Sequence, residues 1–285
     1  MTDESRTQVK HILLVIFRIV LGISLAVICF LGFRLYRDAT GHTSEDLTIA
    51  CSADAAGMII RSMSDNGDFD LISEEVDYFE MGDCCGSHAQ FALSTGEVDV
   101  AIMCPDAVMS LLARDEGFEV LGVVVYDGNV LVKRPNSPSE LSVIGYMNHR
   151  TEQLRILKDN FGEDVTYQSM VPGALGYALE NGVIDAAMLD VVTALKMGYP
   201  MQSISEGEPS SLMAVRADLI GTPELNEFIE RYNKTVSSLN DEDLVRLLEN
   251  YVGTEYERKE IDLWKTLNVW ETLNVRFSFL TTEIS

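Results

Sequence analysis

Positive charge is scarce in this sequence: its 285 residues carry 21 Lys and Arg against 45 Asp and Glu, a formal net charge of −24. Such a chain repels phosphate-rich partners, which excludes nucleic acid and an anionic membrane surface as principal partners. Common catalytic signatures are absent too. No Cys-x-x-Cys, Gly-x-Ser-x-Gly, His-Glu-x-x-His or Gly-x-x-x-x-Gly-Lys occurs. The sequence-readable redox, serine-hydrolase, metalloprotease and phosphate-loop sites are therefore missing. What remains is 47% hydrophobic and 23% charged, enough for one large or two modest globular domains.

Long apolar runs are limited to one. "HILLVIFRIVLGISLAVICFLGF", His11 to Phe33, holds a single charge, Arg18, and a bilayer span needs about 20 such residues. A cleaved signal is the alternative, but Arg34-Leu-Tyr-Arg37 follows where a small-x-small site is wanted. Ile28 likewise suits a lipoprotein signal at Cys29 poorly. Residues 12–33 are thus expected to form a single-pass anchor at the cell membrane, with the acidic part extracytoplasmic. Cys29 lies inside that run and reads as a lipid-facing or packing residue. Five bases and two acids fall within the first 37 residues, which leaves 16 bases against 43 acids beyond them.

Residues 38–46 read as a polar linker after the anchor and its flanks at 1–37. "LTIAC" (Leu47 to Cys51) then gives a strand and "AAGMIIRSMSDNG" a helix, the start of an α/β pattern. Further strands are expected at Glu75 to Met81, Val98 to Met103 and Phe118 to Tyr126, with helices at Ser87 to Thr95 and Asp106 to Asp115. The proline-rich "RPNSPSE" (Arg134 to Glu140) suggests a junction, after which the pattern resumes. The boundaries expected are lobe one at 47–137, lobe two at 138–215, and a return to lobe one with C-terminal helices at 216–285.

An internal repeat supports two similar lobes. "ALSTGEVDVAIM" (Ala92 to Met103) and "ALENGVIDAAML" (Ala178 to Leu189) share Ala-Leu-x-x-Gly-x-x-Asp-x-Ala. The repeated unit is a strand, a turn and a helix N-terminus.

These paired elements, the lone apolar segment and the return strand within "SLMAVRADLIGTPEL" resemble ABC-transporter substrate-binding proteins. The likeness is to the two-lobed group of sulfonate, taurine and thiamine-precursor binders, and "DCCGSHAQ" is similar to a group with Cys or selenocysteine members. The resemblance implies an α/β fold of the two-lobed periplasmic-binding-protein type II, behind an N-terminal transmembrane helix. It also implies a permease and its ATPase as partners, a small-molecule or metal solute, and no enzyme activity.

In an open α/β sheet ligands sit beyond the carboxyl ends of the strands. That rule gathers Cys51 and Ser52, then Cys84, Cys85, Gly86, Ser87 and His88, then Cys104, on one rim. Met147, His149, Met170 and Asp190 fall on the other. Adjacent Cys84 and Cys85 cannot bridge each other without strain. Three readings stay open. The four sulfurs Cys51, Cys84, Cys85 and Cys104 could hold a soft metal, organometal or sulfur compound as solute, with no resident cofactor; they could form structural disulfides around a small organic amine or sulfonate; or they could be buried and inert. A membrane-anchored thiol enzyme, with Cys84 or Cys85 as nucleophile and His88 as base, is the competing class.

Overall fold

The computed structural model describes residues 46–72, 75–81 and 86–239, with residues 18, 21, 22, 24, 246, 276–278 and 280. The expected anchor at 12–33 lies outside the described residues except for Arg18, Leu21, Gly22 and Ser24, which are helical, and Cys29, Cys84 and Cys85 also lie outside them. Among the described residues no helix is long and apolar enough to cross a membrane. The chain divides into two compact units, Met1–Ser44 and Glu45–Ser285. The second unit carries both sheets.

Lobe one begins with β1 (Asp46–Ser52), whose Leu47, Ile49, Ala50 and Cys51 are buried on both faces. A continuous apolar run of this kind is what a central parallel strand needs. Helix α1 (Ala55–Asp65) follows, and Met58, Ile59 and Met63 turn its apolar face inward. Strand β2 (Glu75–Met81), α2 (Gly86–Thr95), β3 (Val100–Met103), α3 (Pro105–Leu112) and β4 (Phe118–Tyr126) complete the outward run.

Lobe two repeats this order. After β5 (Asn129–Lys133) come β6 (Val143–Met147), α4 (Thr151–Phe161), β7 (Thr166–Met170), α5 (Pro172–Glu180), β8 (Ala186–Asp190), α6 (Val191–Met197) and β9 (Met201–Gln202). The chain returns through β10 (Pro209–Arg216) to α7 (Pro223–Ser238), and β11 (Arg276–Phe277) lines the edge.

The described strands form two sheets of matching topology, ordered β11-β4-β10-β3-β1-β2 and β7-β6-β8-β5-β9. In each sheet the strand order is second, first, third, then an antiparallel strand that has crossed from the other lobe. The crossings fall at Asp127 with Gly128 and at residues 203–208. They precede the boundaries expected at 137 and 215, because β5 enters sheet two directly after the first turn. The proline-rich segment instead joins β5 to β6 within lobe two, and "SLMAVR" is already strand β10 of lobe one.

The repeat has a structural meaning. Asp99 donates its N–H to the Thr48 carbonyl and accepts the Thr48 N–H at 3.0 Å; Asp185 does the same with Val143, also at 3.0 Å. The shared aspartate therefore ties the third strand to the first in each lobe, a folding role. The shared glycines, Gly96 and Gly182, have φ of +75° and +69°, a left-handed turn that a side chain disfavours.

Candidate solute-binding site

The parallel strands end together. Ser52 of β1 is in register with Met81 of β2, and Met147 of β6 with Met170 of β7. These ends make the two rims, and hydrogen bonds that Thr151 and Glu152 of lobe two donate to the Asp106 carboxylate of lobe one bring the rims into contact.

Asp54 stands at the centre of the lobe-one rim. It is the N-cap of α1, 5% exposed, and its Oδ1 accepts the N–H groups of Ala56 and Gly57 at 3.0 and 3.1 Å. The Ser52 hydroxyl donates to Oδ2 at 2.8 Å. Burial pushes this carboxyl above its ordinary range, while the Ser52 hydroxyl, the Gly57 and Ala56 amides and the Arg150 charge pull it back.

Asp190 faces it from lobe two. It closes β8, caps α6 by accepting the Val192 N–H at 2.8 Å, and stands opposite Asn129 of β5. Burial first, and then the Asp54 charge, push its carboxyl up to about 8; the amides of Val192, Ala55 and Thr193 act the other way. The Ala55 amide belongs to α1, so this carboxylate reaches the other lobe. Arg150, buried at the N-cap of α4, supplies positive charge to Asp54 and to Cys104.

Two of the four expected sulfurs lie among the described residues. Cys51 and Cys104 end their strands as read, yet both are buried free thiols. Burial raises both thiols, helped at Cys51 by the charges of Asp54 and Glu80 and opposed at Cys104 by Arg150. A protonated thiol is a poor metal ligand. Met147 is buried, and its Sδ accepts a hydrogen bond from Gln153 Nε2 at 3.7 Å. Met170 is half-buried at the rim; His149 is exposed in a turn with φ +62°, and His88 is exposed in the first turn of α2, which Gly86 and Ser87 open. Among the described residues no group of three or more His, Cys, Asp or Glu is placed to hold a metal ion.

The structure thus brings together Ser52 and Asp190, which the strand-end rule selected, with Asp54, Arg150, Asp106 and Thr151, which it passed over. A signal existed for Asp54, an aspartate two residues past a strand and directly before a helix, where an N-cap belongs. Arg150 follows His149 at the matching place in lobe two.

No family profile and no curated protein matches this sequence. Among solved structures, the chain is similar to the periplasmic aliphatic sulphonate binding protein of Escherichia coli, at 13% identity and a TM-score of 0.58 over 79% of this chain and 93% of that one. A Candida albicans protein described as having the generic periplasmic binding protein fold gives 16% identity and a TM-score of 0.60 over 82% of each chain. The chain has the type II periplasmic-binding-protein fold. A Staphylococcus aureus ligand-binding component of an ABC-type import system, with zinc bound, shares the binding-protein fold at 11% identity and a TM-score of 0.60, over 84% of this chain and 87% of that one.

Proposed function

We propose that this protein is the extracytoplasmic solute-binding component of an ABC-type transport system, held at the membrane by residues 12–33. It delivers a small solute to a permease driven by an ATPase. The solute carries a cationic, hydrogen-bond-donating head, as an organic amine does. One observation carries this reading: Asp54 and Asp190 converge from the two lobes, and the charge of the first raises the second. A cation between two carboxylates relieves that repulsion. The N-termini of α1 and α4, where an anionic head would otherwise be favoured, already face protein carboxylates, Asp54 and Asp190 at α1 and Asp106 at α4.

A second reading, a soft or thiol-reactive solute, draws on a different observation. Met81 at the end of β2 pairs with Ser52, and the Ala53 N–H donates to the Met81 carbonyl at 3.1 Å. Met81, three residues before Cys84 in the sequence, therefore ends its strand at the rim that carries Asp54. Cys51 and Cys104, buried and protonated, do not contribute to it.

Calorimetric titration with ethanolamine, a linear diamine, an alkanesulfonate and Cu(I) discriminates these readings. The expected result is amine binding that weakens at least tenfold in Asp54→Asn. Tight Cu(I) binding lost in the double variant Cys84→Ser/Cys85→Ser would favour the soft solute; preferential sulfonate binding would overturn the cationic head.

A further inference from the structure

Helix α4 starts without a cap of its own. Asp54, Asp190 and Thr222 cap α1, α6 and α7 with their own side chains. At α4 the N-cap is Arg150, which makes no such bond, and a guanidinium has no acceptor to offer. The first N–H groups of a helix nonetheless need partners. They find one in the other lobe. Asp106, in the first turn of α3, accepts the Thr151 N–H at 3.1 Å and the Thr151 hydroxyl on Oδ1, and the Glu152 N–H at 3.4 Å on Oδ2.

A cap in this position is an acceptor that the sequence withholds from the helix it serves. Asp106 precedes Thr151 by 45 residues and lies on a helix of the other lobe. Its carboxylate meets the positive end of the α4 dipole, where an anion is favoured. Opening the lobes would leave both the carboxylate and the helix end to water. The arrangement has a counterpart across the pseudo-symmetric cleft, where Asp190 of lobe two draws on the Ala55 amide at the start of α1 in lobe one.

We propose that Asp106 is an interlobe latch: its carboxylate takes the anion position at the α4 N-terminus, ties the closed lobes together and bars anionic head groups from that position. The latch accepts the two-lobed closure of the proposed transport role but is independent of which solute is carried. Its test needs no solute, so its failure and the failure of that role are separate.

The test is amide hydrogen exchange on the full chain, wild type against Asp106→Ala, at single-residue resolution. Loss of an N-cap costs about 1 kcal/mol, about a fivefold change in an equilibrium. Exchange at Thr151 and Glu152 is therefore expected to quicken about fivefold, and Ala55, in the other lobe, is expected to quicken with them. Ile49 and Ile144, fully buried on interior strands of the two sheets, serve as the measure of intact folding. Should they lose protection, Asp106→Asn, which keeps one acceptor and drops the charge, replaces the alanine variant with a smaller effect expected at the same amides. Unchanged Thr151 and Glu152 would overturn the latch; so would faster exchange there with Ala55 unmoved, since that describes a cap without closure. Added inorganic sulfate is expected to restore protection of Thr151 and Glu152 in Asp106→Ala and to leave wild type unaffected. Equal protection of both proteins, or of neither, would contradict the exclusion of anions.

Discussion

A carboxyl group at Asp190 that holds its proton up to about pH 8, against an unfolded value near 3.9, gives the folded state more bound protons than the unfolded chain across that interval. Stability contributed by such a group is fully present below pH 4 and is lost as pH rises towards 8, because ionisation then meets burial and the Asp54 charge. Thermal unfolding should therefore show a midpoint that declines from pH 5 to pH 8, and Asp190→Asn should flatten that decline. Parallel slopes in the two proteins would contradict the assignment. Asp190 was legible as the residue closing a strand, and Cys51 and Cys104 were placed at strand ends equally well. Their chemistry was not legible. Cys51 lies one position inside Ser52, on the face that α1 covers, and alternation along a strand turns neighbouring side chains to opposite faces. Which face a helix will cover is decided by packing far away in sequence.

Elements show the same division between local and distant causes. Strands β2 and β4 have the bounds that their apolar runs give, and the repeat announced two lobes of one design. Of the two crossings, the polar one at 203–208 was passed over, and the other is a tight turn between two strands, with no longer linker to notice. Asp127 makes that turn. It is fully buried with φ +56°, its N–H donates to the Glu208 carbonyl, and its carboxylate accepts the N–H groups of Gly207 and Glu208 at 2.9 and 3.0 Å, so the first crossing clasps the second. Gly128 beside it has no room for a side chain, since a Cβ would come within 2.9 Å of Val125 Cγ1. Asp127→Ala removes two acceptors and puts a residue that avoids positive φ into the turn, a loss of about 2–4 kcal/mol. Asp127→Asn, which tolerates that conformation, should cost less than half as much. Denaturant unfolding measures both, and equal stability of the alanine variant would remove the clasp.

Across the whole molecule, two lobes of matching topology share one run of buried apolar residues, from Ile49 and Val125 in the first sheet through Val130 and Val132 to Leu189 in the second sheet and Val191 at the start of α6. The two rims meet through polar groups instead: Asp54, Asp190, Arg150, and Asp106 with Thr151. A shared apolar seam beside a polar mouth suits closure about the crossings, and a solute that touches both rims favours the closed state by its differential affinity alone. The measurement that tests this most directly is the amide-exchange footprint of the full chain at saturation with the tightest amine from the calorimetric titrations. The account predicts added protection on both rims, at residues 52–57 and at residues 147–152 and 190–193, all lost in Asp54→Asn. Protection confined to one lobe, or lying away from the strand ends, would contradict it.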